Sequence, residues 1–215
     1  GVVNMMTINP RPFDKFQIHV KGILGYESNW GGQRQHLTVL GGGQKVFFAL
    51  TGNNSVYGNY TDGNGDQVRS QFKKFGYTAK LGFAPLKNHI IYASYSEFYA
   101  RDVFFPALPM DERTDNTQLY SLDYRGKKVS KIIETIDFKT YYTHVDHTMD
   151  NKERSFGDTV AAVSQILADR MGYRVEFGLN VAGGHLFVGT DYQNTMKDGT
   201  RIKNMIGQAF PTPQG

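Results

Sequence analysis

The chain has 215 residues, enough for one large domain or two small ones, with no cysteine and a formal net charge of +4. The missing cysteine excludes a disulfide framework and any cysteine-ligated zinc or iron–sulfur site within these residues. The Lys and Arg residues are scattered, with no basic block interleaved with aromatics, so nucleic acid is not an expected partner.

No apolar run approaches the roughly 20 residues of a transmembrane helix. By contrast, 13 Tyr, 15 Phe and 24 Gly favour strands and tight turns. Residues 1–9, GVVNMMTIN, read as a short apolar strand-like piece, and Pro10 and Pro12 separate it from the first long strand. The chain opens directly on Gly-Val-Val-Asn without a signal peptide, so it is expected to begin inside something larger or to have been processed.

The first strand is expected from about Phe16 to Tyr26, followed by a short loop that holds Trp30, the only tryptophan. Strand two is expected over about 33–40, and Gly41-Gly42-Gly43-Gln44 turns it into strand three, over about 45–57. A polar Gly/Asp/Asn loop comes next. Within it Asp62, Asn64 and Asp66 are spaced like the start of a calcium loop, but Gln67 and Lys73 stand where an EF-hand needs Gly and Glu.

Residues 72–99 are the clearest stretch. Phe75, Tyr77, Ala79, Leu81 and Phe83 alternate with Gly76, Thr78, Lys80 and Gly82, so apolar and polar sets lie on opposite faces of one strand. Residues 84–88 turn this strand into a second apolar-aromatic strand, and a long segment continues over 101–116. Further strands are expected at about 117–124, 132–143, 173–181 and 186–192. Residues 144–171 read as a long loop with a short helix over 159–167, because Val160, Val163, Ile166 and Leu167 recur at three to four residues. Residues 193–215 read as a polar, Pro-containing tail.

Short and long connections alternate, with residues 27–32 as an exception. A transmembrane barrel has short turns at one end and long loops at the other; a sandwich has no reason to sort its loops by end. Alternation of side chains alone leaves barrel and sandwich open. The sorted loops and the aromatic residues near strand ends favour an all-β, antiparallel transmembrane β-barrel segment.

The residues also carry a family resemblance. GVVNMMT is similar to the last strand of the plug domain of TonB-dependent outer-membrane receptors, with Met5 where that pattern has Ile. RDVFFPALPMDERTDNTQLYSLDY and HVDHTMDN resemble stretches of one branch of that family, which includes the copper receptors. The resemblance covers essentially the whole chain. It implies a 22-stranded barrel enclosing an N-terminal plug, of which this chain holds the plug end (residues 1–12) and about nine strands of the wall (residues 13–215). It also implies a bacterial outer-membrane location, contact with lipid and with the remainder of the barrel, a TonB–ExbB–ExbD partner acting through the absent plug region, and room for a surface lipoprotein. Function on this resemblance is active import of a scarce nutrient, with copper first and siderophore, haem or cobalamin behind it.

His144, His147 and Met149 are the candidate metal ligands, because imidazole and thioether suit copper and a thioether favours Cu(I). His147 and Met149 are two apart, so they project to one side of an extended chain. The resemblance implies that such a His-x-Met pair on the barrel works with a Cys and a Met on the plug. The plainer reading is a set of polar loop residues without metal. Met110 is a further soft donor. Asp111, Glu112, Arg113 and Asp115 are candidates for the ligand path or for plug contact; the plainer reading is a hydrated surface network. There is no G-x-S-x-G and no H-E-x-x-H, no catalytic constellation is apparent and no cofactor is expected. An outer-membrane barrel enzyme and a soluble β-rich binding module remain the rival readings.

Overall fold

The computed structural model describes residues 9–155, 160–205 and 208–213. These residues form one antiparallel sheet, and no helix occurs among them. Its strands are β1 (Gln17–Glu27), β2 (Gly32–Gly42), β3 (Val46–Tyr57), β6 (Phe72–Leu86), β7 (His89–Val103), β8 (Asp111–Lys127), β9 (Ile133–Asp150), β10 (Val160–Val181), β11 (Gly184–Met205) and β12 (Gln208–Pro213). They lie side by side in chain order, so every connection is a simple up-and-down one. Two minor strands, β4 (Tyr60–Thr61) and β5 (Gln67–Val68), make a small ribbon inside the connection between β3 and β6.

Strands of the main sheet contact only their hydrogen-bonded neighbours. That excludes a sandwich, whose core exists only where two sheets face each other. The apolar face agrees. Phe75, Leu81 and Phe83 remain 48%, 51% and 44% exposed, while Gly76, Lys80 and Gly82 on the other face are buried. The usual rule of apolar residues inside is inverted, as it is where an apolar face is meant for a non-aqueous surrounding.

The apolar face has rows set by register. Leu81, Ala93, Leu122 and Thr140 are successive partners, and so are Ala79, Tyr95, Tyr120 and Tyr142. A carboxylate, Glu97, stands in the next row. It accepts hydrogen bonds from the hydroxyls of Tyr77 and Tyr95 and from Gln118 Nε2, which satisfy a charge that would otherwise be costly there. The polar face carries Lys80, Asp123, Lys139, Arg125, Asp137, Arg174 and Glu176. Adjacent strands pair Arg125 with Asp137 at 3.4 Å and Lys139 with Asp123 at 3.5 Å.

The short turns fall at one end of the sheet. One of them joins β10 to β11 through Ala182 and Gly183, both at positive φ (50° and 81°), which matches the twist of a two-residue hairpin. Near this end Phe47 is fully buried. Its ring lies where a Cβ on Gly82 would stand and meets Tyr92 edge-on at 6.2 Å. Only glycine leaves room for that ring.

Several expectations are corrected. The helix over 159–167 is not formed; from Val160 onward this stretch is strand β10, which runs 22 residues. Pairing with β9 on one side and β11 on the other decides its conformation, and spacing of four apolar residues does not. The long loop expected over 144–171 shrinks to the connection between Asp150 and Val160, because β9 and β10 extend well past the length needed to cross a bilayer. The tail over 193–215 is largely strand: β11 continues to Met205 and pairs with β12. The main sheet has ten strands where about nine were expected, the addition being the short β12. Most of the expected plug end, residues 1–8, lies outside the described residues. Asn9 is described, and its side-chain oxygen accepts a hydrogen bond from Lys80 Nζ.

Candidate metal centre

The candidate site lies at the end of the sheet away from the short turns, where β8 begins and β9 ends. Register sets Asp115 opposite His147, and Glu112 opposite Met149. Residues three apart on a regular strand point to opposite faces. Here a bulge between Glu112 and Thr114 inserts one extra residue and returns Glu112 to the Asp115 side. As a result ligand atoms of Glu112, Asp115 and His147 all lie within 4.8 Å of one another, each residue half-buried.

His147 Nδ1 and Asp115 Oδ2 are 3.1 Å apart, and Thr117 Oγ1 donates to Asp115 Oδ1 at 2.8 Å. A tilted strand needs about 9–11 residues to cross hydrocarbon. Counted from the short turn after β8, that length is used up by about residue 118, so Asp115 and His147 stand beyond it. The bond to Asp115 holds His147 above its ordinary imidazole value, against the pull of burial. The bond from His147, with that from Thr117, holds Asp115 below the usual carboxylate range. Burial pushes Glu112 up. Among the described residues no hydrogen-bond donor or ion-pair partner serves the Glu112 carboxylate.

Met149 shares the face of His147, since two residues of regular strand separate them. Across the next strands Met149 is followed by Ser164 and then Arg201, whose guanidinium reaches the sulfur of Met110 at 3.9 Å. Met110 and Met149 thus lie at the same end of the sheet, which their spacing in sequence did not announce. His144 goes the other way. It lies on the apolar face with Tyr142, and both bond to Asp169, at 2.8 and 2.6 Å. The fold therefore unites His147 and Met149 and leaves His144 behind.

The four charged candidates divide likewise. Glu112 and Asp115 join His147, whereas Asp111 and Arg113 enter a separate network. Asp111 is fully buried and accepts from Arg69 (2.8 Å), Arg154 and the backbone amide of Phe105 (3.1 Å). Arg113 pairs with Asp150 at 2.9 Å and Glu153 at 2.8 Å, and Arg69 lies 3.8 Å over the Phe104 ring. These contacts tie the connections after β3, β7 and β9 into one body. The Asp62 carboxylate, part of the calcium-like spacing, caps its own loop by accepting from the amides of Asn64 and Asp66.

A site of this kind can bind a cation. Two carboxylates, an imidazole and a nearby thioether offer both oxygen and soft donors on the polar face, and no nucleophile with a base stands among them.

No protein-family model matches the chain, and no curated protein matches it. Its structure is similar to the solved copper transporter OprC, with a TM-score of 0.86 and 22% sequence identity over 95% of this chain. The chain spans 32% of the length of that protein. The likeness establishes the fold: the ten-stranded antiparallel sheet corresponds to part of a β-barrel wall.

Proposed function

We propose that the chain is part of a TonB-dependent importer of the bacterial outer membrane, and that its cargo is a metal ion or metal chelate, with copper preferred. On this reading the apolar face of the sheet meets lipid and the polar face lines the passage. Short turns are periplasmic, and the long connections face outward. The observation that carries the cargo is the pairing of His147 and Met149 on the polar face, just past the membrane-crossing part of β9, in a fold shared with a copper transporter. An imidazole with a thioether is a donor pair for Cu(I). The rest of the site and the contact with TonB would come from parts of the protein outside this chain.

The test is radioactive copper accumulation in cells carrying the full-length protein, with and without TonB. The expected result is TonB-dependent uptake that falls about tenfold or more in Met149→Leu and in His147→Ala. Uptake that ignores both substitutions overturns the copper reading. Uptake that occurs only when the metal is presented inside a siderophore, haem or cobalamin moves the protein to a chelate receptor. Uptake without TonB removes the energised mechanism.

A further inference from the structure

We propose that Glu112, Asp115 and His147 form a second donor set at this site, which binds a borderline first-row divalent cation such as Cu2+, Ni2+ or Zn2+. It deepens the importer reading by naming an oxidised, divalent cargo species, and it rests on that reading only for the cation being cargo.

Three observations converge. The first is distance. Two ligands bound at about 2.1 Å to one cation and at right angles lie roughly 3.0 Å apart, and trans ligands lie about 4.2 Å apart. The 3.1 Å between His147 Nδ1 and Asp115 Oδ2 fits two adjacent ligands of a single ion, and the 4.8 Å limit on all three ligand atoms leaves Glu112 a small side-chain rotation from joining them.

The second is charge. Two carboxylates stand beside one imidazole, all half-buried, and Glu112 has no donor among the described residues. A cation relieves that repulsion, and the neighbouring Thr117 hydroxyl already orients Asp115 from outside the cluster, as an outer hydrogen bond orients a metal ligand.

The third is construction. Glu112 reaches this face only through the bulge, and bulges re-aim side chains next to functional sites. The donor chemistry separates this set from the other. Two oxygens and one imidazole nitrogen suit a borderline divalent ion; the Met149 thioether suits a monovalent soft one. Among divalent ions such a set prefers Cu2+ to Ni2+ and Zn2+.

The experiment titrates the full-length receptor in detergent with Zn2+, which is redox-inert, and separately with Ag+ as a soft monovalent probe. Glu112→Gln and Asp115→Asn are expected to weaken Zn2+ binding about tenfold or more and to leave Ag+ binding within about twofold. Glu112→Asp, which keeps the charge, retains Zn2+ binding and shows that loss in the Gln variant is not misfolding. Met149→Leu has the opposite signature, with Ag+ lost and Zn2+ kept. With Cu2+, the paramagnetic resonance spectrum should show coupling to a single nitrogen, which His147→Gln abolishes. Unchanged Zn2+ affinity in both Glu112→Gln and Asp115→Asn overturns the proposal and leaves an ordinary His–Asp pair. Loss of Zn2+ binding in those variants, with copper uptake untouched by Met149→Leu, keeps this proposal and removes the soft pair from the importer reading.

Discussion

The two ends of the sheet are held together by different means. At the short-turn end the strands are joined by tight turns, and the packing is apolar: Phe47 sits in the space left by Gly82 and against Tyr92. At the other end apolar packing is joined by a charged network: Trp30 packs against Tyr57, Tyr60 and Phe72, and Phe104 and Met110 are buried. Arg69, Asp111, Arg113, Asp150, Glu153 and Arg154 add ionic ties that, among the described residues, the short-turn end lacks in this density, through partners 37 to 84 residues apart. Local turns need only the residues within them. A long-range ion network needs the register of several strands first. The end built the second way is also the end that gathers His147, Met149, Glu112 and Asp115, so the candidate binding chemistry depends on the part of the fold with the least local determination.

Four measurements probe this contrast. The largest effect is expected at Asp111. Asp111→Ala leaves Arg69 and Arg154 without their buried partner and should cost about 3 kcal/mol. It should also open the connections after β3 and β9 to limited proteolysis while the short turns stay resistant. Asp66→Ala, on an exposed loop nearby, should stay within about 0.5 kcal/mol of the parent. Equal effects of the two would mean that the network does not hold the outer end.

Next is the apolar contact. Gly82→Val places a side chain where the Phe47 ring lies and should cost about 1–3 kcal/mol. Combining it with Phe47→Ala should recover part of that loss, and the double-mutant cycle in chemical unfolding gives the coupling. Additive losses would show that the ring and the glycine are independent.

A smaller effect is expected at the hairpin of β10 and β11. Ala182 has a φ of 50°, which a Cβ disfavours. Ala182→Asn or Ala182→Gly should stabilise the full-length protein by about 1 kcal/mol in thermal melting. No gain would mean that the turn relaxes at no cost.

The smallest effect is electrostatic and concerns the metal-free protein. His147 is raised above its ordinary value of 6.5, so its contribution is complete below that pH and is lost as pH rises through the raised value. Asp115 is lowered below 3.8, so its contribution is present above that pH and is lost as pH falls through the lowered value. The pair therefore stabilises most between these limits. Histidine ring resonances followed by NMR should show the His147 midpoint falling in Asp115→Asn. An unmoved midpoint would separate the two side chains in solution.

The period-two alternation of residues 75–83 is enough to assign strand and to separate the two faces; that the apolar face meets no second sheet is decided only by the structure. Strand and face assignment depend only on neighbours in the chain and on the pleat. The turns at 84–88 and 182–185 are legible for the same reason. The stretch from Val160 to Leu167 misleads because its apolar spacing fits a helix and its actual partners, on β9 and β11, are far along the chain. The candidate site is half legible. His147 and Met149 share a face by spacing alone, but the fold rejects His144, divides Asp111 from Glu112, and brings Glu112 to His147 through a bulge. A bulge changes which residues face one another by shifting register, and register is a property of two strands together. The chain by itself therefore settles the local geometry of its strands, and only their assembly decides which side chains meet.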